Sequence, residues 1–263
     1  MNMIRLDTLM AERGLVESRS QAQNLIMAGE VRVNGEVVLK PSHKVSPQAD
    51  VIIKQPPRFV SRGGEKLEAA LGAFGLGDLS GLVCADVGAS TGGFTDCLLQ
   101  HGAMKVYAVD VGYGILHWKL RKDERVISME RTNARTLRAL PELVDLVTID
   151  ASFISLRYLL PVVKNWLATP KGIVLALIKP QFEAGRAESA RGEGVIRNPA
   201  IHRRVLINVI EFAVREGFAV GGLIRSPLLG PKGNVEFLAF LRLGEDCGDY
   251  LPLVDRALVG EDV

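Results

Sequence analysis

Four charged residues at widely separated positions, Lys66, Asp150, Lys179 and Glu236, have the types and placement to do chemistry. Asp150 ends the expected strand 144–149 and begins Asp-Ala-Ser-Phe, and Lys179 ends the apolar run 173–178 and begins Lys-Pro-Gln-Phe. In an open α/β sheet the carboxyl ends of the strands build the ligand crevice, so these two should face one space. Lys66 belongs to a helix entering the same region. Glu236 interrupts the apolar stretch 235–241, where an unpaired charge is costly to bury. Pairing Lys66 with Glu236 and Asp150 with Lys179 neutralises all four. The plain alternative, unrelated surface or ion-paired charges, is weakest for Asp150 and Lys179.

A glycine-rich turn supplies the second chemical element. The strand-like segment 82–87 runs into Gly88-Ala89-Ser90-Thr91-Gly92-Gly93-Phe94 and then a helical pattern. Glycines let a ligand approach the backbone, and a helix N-terminus offers free N–H groups. The spacing is neither the dinucleotide GxGxxG nor a P-loop, since no Lys-Ser/Thr follows. Asp110 ends the next strand, where a carboxylate suits a ribose diol. A nucleoside without a pyrophosphate fits best, and S-adenosylmethionine is the foremost candidate. Its adenosine would lie near Asp110 and Asn133 and its amino-acid end along Gly88–Gly93. A tight turn with purely structural glycines is the alternative.

Such a set could transfer a methyl group to a hydroxyl. A ribose hydroxyl needs a base, and a lysine crowded by another cation and partly desolvated can serve. The sulfonium methyl needs only in-line positioning. Methylation of cytosine carbon 5 uses a cysteine that usually follows proline, but Val83, Asp96 and Asp246 precede the three cysteines. Exocyclic-amine methylation normally uses an Asn/Asp-Pro-Pro-aromatic turn, which Asp150-Ala151-Ser152-Phe153 does not match.

The elements that must position these residues alternate from residue 62 onward. Strands are expected at 82–87, 104–109, 125–129, 143–149, 172–178, 219–225 and 235–242, with helices including 94–100, 154–166 and 201–216. Continuous apolar runs imply strands buried on both faces, and the alternation implies a parallel α/β sheet. The fold expected is a Rossmann-like methyltransferase domain with a mostly parallel seven-stranded sheet, preceded by a small α+β domain. In that first domain Leu6, Leu9 and Met10 share a helical face that Gly14 stops. Ser18 with Gln21 forms a capping box before the stripe Ala22, Leu25 and Ile26. Asn34-Gly35 between Val33 and Glu36 signals a hairpin. Lys54-Gln55-Pro56-Pro57-Arg58 cannot continue a helix or central strand. The domains expected are therefore 1–55, a linker at 56–61, and 62–263.

Composition removes several classes of function. With 263 residues and ordinary hydrophobic content, the chain can bury a real core, and disorder is excluded. The net charge of +2 resides wholly in residues 1–60, which points to an anionic partner there. Cys84, Cys97 and Cys247 form no CxxC pair, which argues against a disulfide framework and a zinc site. No metal is expected. No apolar leader or run long enough to cross a membrane is visible, so a cytoplasmic protein without membrane contact is expected.

Six ordered motifs carry a family resemblance: DVGASTGGF from Asp86, VDVGYG from Val109, ERTNAR from Glu130, DASFISL from Asp150, IKPQFE from Ile178 and SPLLGPKGNVEF from Ser226. Together they resemble the TlyA family, known as hemolysins or rRNA 2′-O-methyltransferases. The second domain is similar to FtsJ-type ribose methyltransferases, and residues 4–53 resemble the S-four-type RNA-binding module. The resemblance implies methylation of cytidine 2′-hydroxyls in ribosomal RNA or ribosomal subunits, with S-adenosylmethionine as cofactor. Its Lys-Asp-Lys-Glu tetrad falls on Lys66, Asp150, Lys179 and Glu236. It makes Lys179 the base, oriented by Asp150, while Lys66 and Glu236 hold the ribose. It sets Ser90, Thr91, Gly92, Gly93, Asp110 and Phe153 around the cofactor. Arg5, Arg13, Arg19 and Arg32 are candidates for phosphate contacts, with solvated helix-face charges the bland alternative. The segment Arg58-Phe59-Val60-Ser61 could pass RNA engagement to the catalytic domain. Two other functions compete: a membrane-active hemolysin, which needs an apolar segment not evident here, and a non-catalytic RNA-binding assembly factor, which an intact tetrad opposes.

Overall fold

The computed structural model describes residues 3–54, 57–185, 188, 192–244 and 248–260. Gln55 at the end of the expected first domain, Pro56 of the expected linker, and Cys247 lie outside the described residues. The chain divides into two compact units, Met1–Arg58 and Phe59–Val263.

The first unit begins with β1 (Ile4–Arg5), α1 (Leu6–Glu12) and α2 (Arg19–Met27), followed by β2 (Val31–Val33), β3 (Glu36–Val37), β4 (Lys44–Val45) and β5 (Val51–Ile53). The Ser18 hydroxyl caps α2 by accepting from the Gln21 backbone N–H at 3.2 Å. Gln21 reaches back to the Glu17 N–H at 2.9 Å, one residue earlier than a standard capping box requires. Asn34 and Gly35 both take positive φ, 49° and 88°, as a type I′ hairpin turn demands. Leu6, Leu9, Met10, Ala22, Ile26, Val31 and Val33 close over one small core. The β1–β4 pair is an element the hydrophobic pattern did not reveal; each strand has two residues, too few to show alternation.

The second unit opens with α3 (Gly63–Ala73), whose buried Leu67, Ala70 and Leu71 recur at helical spacing. Then come β6 (Val83–Val87), α4 (Gly93–Gln100), β7 (Lys105–Val109), α5 (Trp118–Arg121), β8 (Val126–Met129) and β9 (Leu146–Ile149). The chain continues through α6 (Leu160–Val163), β10 (Ile173–Ile178), α7 (Pro180–Glu183), α8 (Pro199–Arg215), β11 (Phe218–Arg225), β12 (Phe237–Leu243) and α9 (Leu251–Val259). The seven strands stand in the order β11-β12-β10-β9-β6-β7-β8. All neighbours are parallel except those of β12, which runs antiparallel to both β10 and β11.

Alternate residues of the central strands feed two cores. Ala85, Val147 and Ala176 join the core under α6, α8 and α9, whereas Cys84, Leu146 and Leu175 join the core under α3 and α4. That two-sided burial explains the unbroken apolar runs. The helix expected over 154–166 is instead three short pieces, 3₁₀ turns at Leu156–Tyr158 and Lys164–Trp166 flanking α6. Pro161 lacks the N–H that would continue the preceding turn, and it sits where α6 begins.

Candidate active site

The carboxyl ends of β6, β7, β9 and β10 lie along one edge of the parallel sheet, so Gly88, Asp110, Asp150 and Lys179 all emerge there. Glu236 reaches the same edge by a different route. It lies one residue before β12, not within it, and because β12 is antiparallel its first residue, Phe237, pairs with Ile178 at the end of β10. Lys66 arrives from the first turns of α3. Topology thus gathers four residues that are far apart in the chain.

They line one cleft of about 490 Å³, together with Gly88, Ser90, Thr91, Ser152 and Gly230. Lys179 Nζ is 2.6 Å from Asp150 Oδ1 and donates to Ser152 Oγ at 2.9 Å. Lys66 Nζ is 2.5 Å from Glu236 Oε2. The lysine side chains are only 11% and 8% exposed, for Lys66 and Lys179, and Glu236 is buried. Two lysine–carboxylate pairs in one cleft give partners to groups that would be expensive to bury singly. Gln181 Nε2 adds a donor to Glu236 Oε1 at 3.4 Å. Gly230 makes room for that carboxylate, since a Cβ there would stand 2.0 Å from Glu236 Oε1.

The glycine turn packs as tightly. A Cβ on Gly88, whose φ is 82°, would meet the Asp150 carbonyl oxygen at 2.8 Å, so the turn lies directly on the backbone that presents Asp150. Asp110 ties this turn to the next loop: Oδ2 accepts from Ser90 N–H at 2.8 Å and Oδ1 from Gly112 N–H at 2.7 Å. A second cleft of about 400 Å³ adjoins the first, sharing Gly88, Ser90, Asp150 and Ser152. Val109, Ile115, Ala134 and Leu159 give it apolar walls, and Asp110 and Asn133 give it polar groups. The Asn133 Oδ1 accepts from Arg135 N–H at 3.0 Å, which fixes its side chain. Phe153 also lines this cleft, but its side chain stands out at its rim, 90% exposed, with φ of 64° and its ring 5.0 Å from that of Phe182.

Supporting residues were not legible as such in the sequence. Asp86, buried beneath the turn, accepts from the Thr95 and Thr148 hydroxyls at 2.7 and 3.0 Å, and burial pushes its carboxyl up to about 6. Glu183 accepts from Ser155 Oγ at 2.6 Å and Leu156 N–H at 2.8 Å, bracing the loop that follows Asp150; burial raises its carboxyl above the usual range. The contiguous motifs DASFISL and IKPQFE were the only signal that Ser152, Gln181 and Glu183 belonged here.

The arginines of the first unit do not form one patch of unengaged cations. Arg5 and Arg19 both donate to buried Asp7, at 2.8 and 3.0 Å, and Gln23 donates to the same carboxylate at 2.8 Å. Arg13 holds the carbonyls of Pro47 and Ala49, and Arg32 holds that of Gly35. All four keep part of the side chain in solvent, and Arg58 is exposed at the end of this unit.

Comparison with known proteins follows the same division. Residues 59–243 match the FtsJ-like methyltransferase family and residues 4–51 match the S4 domain. YqxC of Bacillus subtilis, an rRNA methyltransferase by name, is 49% identical over 90% of this chain and 85% of its own. The 16S/23S rRNA (cytidine-2′-O)-methyltransferase TlyA of Mycobacterium tuberculosis is 45% identical over 92% of this chain and 91% of its own. A solved structure from Streptococcus thermophilus that carries a hemolysin name is 44% identical, with a TM-score of 0.74 over 98% of this chain and 95% of that one.

Proposed function

The chain belongs to the TlyA family of FtsJ-like methyltransferases, and on that premise we propose that it methylates cytidine 2′-hydroxyls of ribosomal RNA, with S-adenosylmethionine as donor. The observation that carries this reading is the meeting of Lys66, Asp150, Lys179 and Glu236 in one cleft beside the glycine turn.

The two adjoining clefts fit the donor in shape and chemistry. The apolar walls around Val109, Ile115 and Leu159 suit a purine, Asp110 suits the ribose diol, and the N–H groups of the turn at Gly88–Gly93 suit a carboxylate. When bound, the cofactor supplies an electrophilic methyl group on a sulfonium. The chain's own residues do the rest. Lys179 Nζ would accept the proton that the ribose hydroxyl gives up. Asp150, 2.6 Å away, orients that amine and stabilises the ammonium as it forms. Ser152 fixes a second direction, leaving the lone pair of the amine for the proton. Lys66 and Glu236 hold the ribose, with the ammonium placed to offset charge developing on oxygen. Asn133 and Phe153, which line the second cleft, would flank the cofactor.

We assign RNA binding to residues 1–55, a linker to 56–61 and catalysis to 62–263, with Arg5, Arg13, Arg19, Arg32 and Arg58 meeting phosphates. Ribosomal subunits are the partner, and the cytoplasm is the compartment. Among the described residues no helix is long and apolar enough to cross a membrane. The test is incubation of the full chain with labelled S-adenosylmethionine and unmethylated ribosomal subunits, then mapping of 2′-O-methyl positions. Label on cytidine ribose is expected; label on bases or on protein alone would overturn the reading.

A further inference from the structure

We propose that Glu68, Cys97 and His101 form a binding site for one divalent cation of the zinc class, where α3 packs against α4. No CxxC pair or metal-ligand spacing announces it; the site exists only once the two helices meet. Cys97 and His101 stand four residues apart, on one face of α4 and at its C-terminal cap, and Glu68 faces them from α3. A sulfur, an imidazole nitrogen and a carboxylate oxygen all lie within 4.8 Å of one another. Nε2 of His101 is 2.6 Å from Glu68 Oε2, and Cys97 Sγ is 3.7 Å from that same oxygen.

The histidine settles the polarity of the cluster. Its Nδ1 is 2.7 Å from the Gly77 carbonyl oxygen. A carbonyl only accepts, so Nδ1 carries a hydrogen and Nε2 is the nitrogen turned toward Glu68. A ring nitrogen and a carboxylate oxygen at that separation need a positive centre between them, either a proton or a metal ion. A proton there serves those two atoms alone, while the Cys97 thiol donates its own proton to Glu68 Oε2. A metal ion serves the thiolate as well, and thiolate, imidazole and carboxylate are the donors Zn²⁺ prefers. The Nδ1–H···O=C bond is the outer contact by which ligating histidines are usually oriented. Bonds of about 2.0–2.3 Å around a tetrahedral centre set neighbouring donors roughly 3.3–3.6 Å apart. The His101–Glu68 contact would therefore open by less than about 1 Å, which the half-buried Glu68 side chain can accommodate. Its solvent-facing side leaves a fourth position for water. Binding releases the Cys97 thiol proton, and any proton shared by His101 and Glu68, to solvent.

The ion would staple α3, which carries Lys66 two residues before Glu68, to α4, which starts at the glycine turn. The proposal rests on this geometry and stands apart from the methyltransferase reading. Its test uses the full chain, reduced and stripped with a chelator, titrated with Co²⁺ and then Zn²⁺. One equivalent of Co²⁺ is expected to bind with a thiolate-to-cobalt charge-transfer band, which Zn²⁺ bleaches. Cys97→Ser should abolish that band. His101→Ala should weaken Co²⁺ affinity about 100-fold and Glu68→Gln about tenfold. Both keep the buried cysteine and so report even if Cys97→Ser misfolds. Cys247→Ser should change nothing. No uptake in excess Co²⁺, a band that disappears with Cys247→Ser, or unchanged affinity in His101→Ala would each overturn the site.

Discussion

Two clusters of buried carboxylate and base, one in each unit, are built on opposite plans. Around Asp7 the partners are close in sequence: Arg5 lies two residues away, Arg19 twelve and Gln23 sixteen. Its arginines remain largely in water, at 41% and 52% exposure. In the cleft, Lys66 meets Glu236 across 170 residues, and both lysines are nearly withdrawn from solvent, with Glu236 buried and Asp150 23% exposed. A short-range cluster ties a helix start to its neighbour and so supports a small fold. A long-range pair brings nothing to local structure, and burying two charges across a sheet is weak support for stability. What the cleft pairs gain is a fixed array of charge at the strand ends. Asp86 completes the contrast: equally buried, it meets two hydroxyls and a backbone N–H but no cation among the described residues, so burial raises it to about 6, whereas guanidinium partners hold Asp7 far below the ordinary carboxylate range.

The sharpest way to break this division is to cut each cluster and ask whether chemistry or fold suffers. Lys179→Ala should lower methyl transfer by about 10²- to 10⁴-fold while leaving cofactor affinity within a few-fold and the melting temperature nearly unchanged. Retained turnover would remove Lys179 as the base. Next in size is Gly230→Ala. The added Cβ would collide with Glu236 Oε1 and displace it from Lys66. A shift near 1 Å in such a site costs up to about 10²-fold in rate. Wild-type turnover in this variant would show that the Lys66–Glu236 pair does not position the substrate.

The two aspartates predict opposite responses to pH. Asp7 has a lowered folded-state value, so its stabilisation is present above about 4, the ordinary carboxylate value, and is lost as pH falls below that. Asp7→Asn should cost about 2 kcal/mol at pH 7, the scale of a hydrogen-bonded charge losing its partners, and the deficit should close in acid. Asp86 has a raised value, so it favours the folded state below 3.8 and loses that advantage as pH rises toward about 6. Asp86→Asn should therefore gain on the wild type above pH 6, by on the order of 1–3 kcal/mol. Trp118 and Trp166 both belong to the catalytic unit, so tryptophan fluorescence during urea unfolding follows Asp86, while amide exchange in α1 and α2 follows Asp7. Shifts of the same sign in both variants would collapse the contrast.

How much of this could be read in the chain itself depends on the range of each interaction. The central strands of the catalytic sheet were legible because burial on both faces writes itself as apolar runs, and the Asn34-Gly35 hairpin because only certain residues tolerate its φ. Asp150 and Lys179 were legible through position, since strand ends of an α/β sheet converge, and Glu236 through the apolar run it interrupts; that these form one tetrad with Lys66 was implied by the family resemblance. The break in 154–166 was missed because its apolar spacing is helical even though Pro161 and tertiary packing divide it. Ser152, Gln181 and Glu183 were invisible as supports because their partners are fixed only by tertiary packing. The involvement of Arg5 and Arg19 with Asp7 was equally hidden, since an arginine near an acid reads the same whether it faces solvent, RNA or a buried carboxylate.

The smallest expected effect bears on that last ambiguity. Among the described residues Arg32 donates only to the Gly35 carbonyl at a hairpin turn, so little of the fold depends on it. Arg32→Ala should weaken RNA binding slightly and reduce the slope of log affinity against log salt by about one, with unfolding unchanged. Arg19→Ala removes a phosphate candidate and an Asp7 partner together, so it should flatten the salt slope by a similar amount and also loosen α1 and α2 in amide exchange. If the Arg32 variant keeps the full salt slope, that cation does not meet phosphate. If the Arg19 variant loosens the helices but keeps the slope, Arg19 serves only to hold Asp7, and the first unit's contact with RNA must be sought among its other cations.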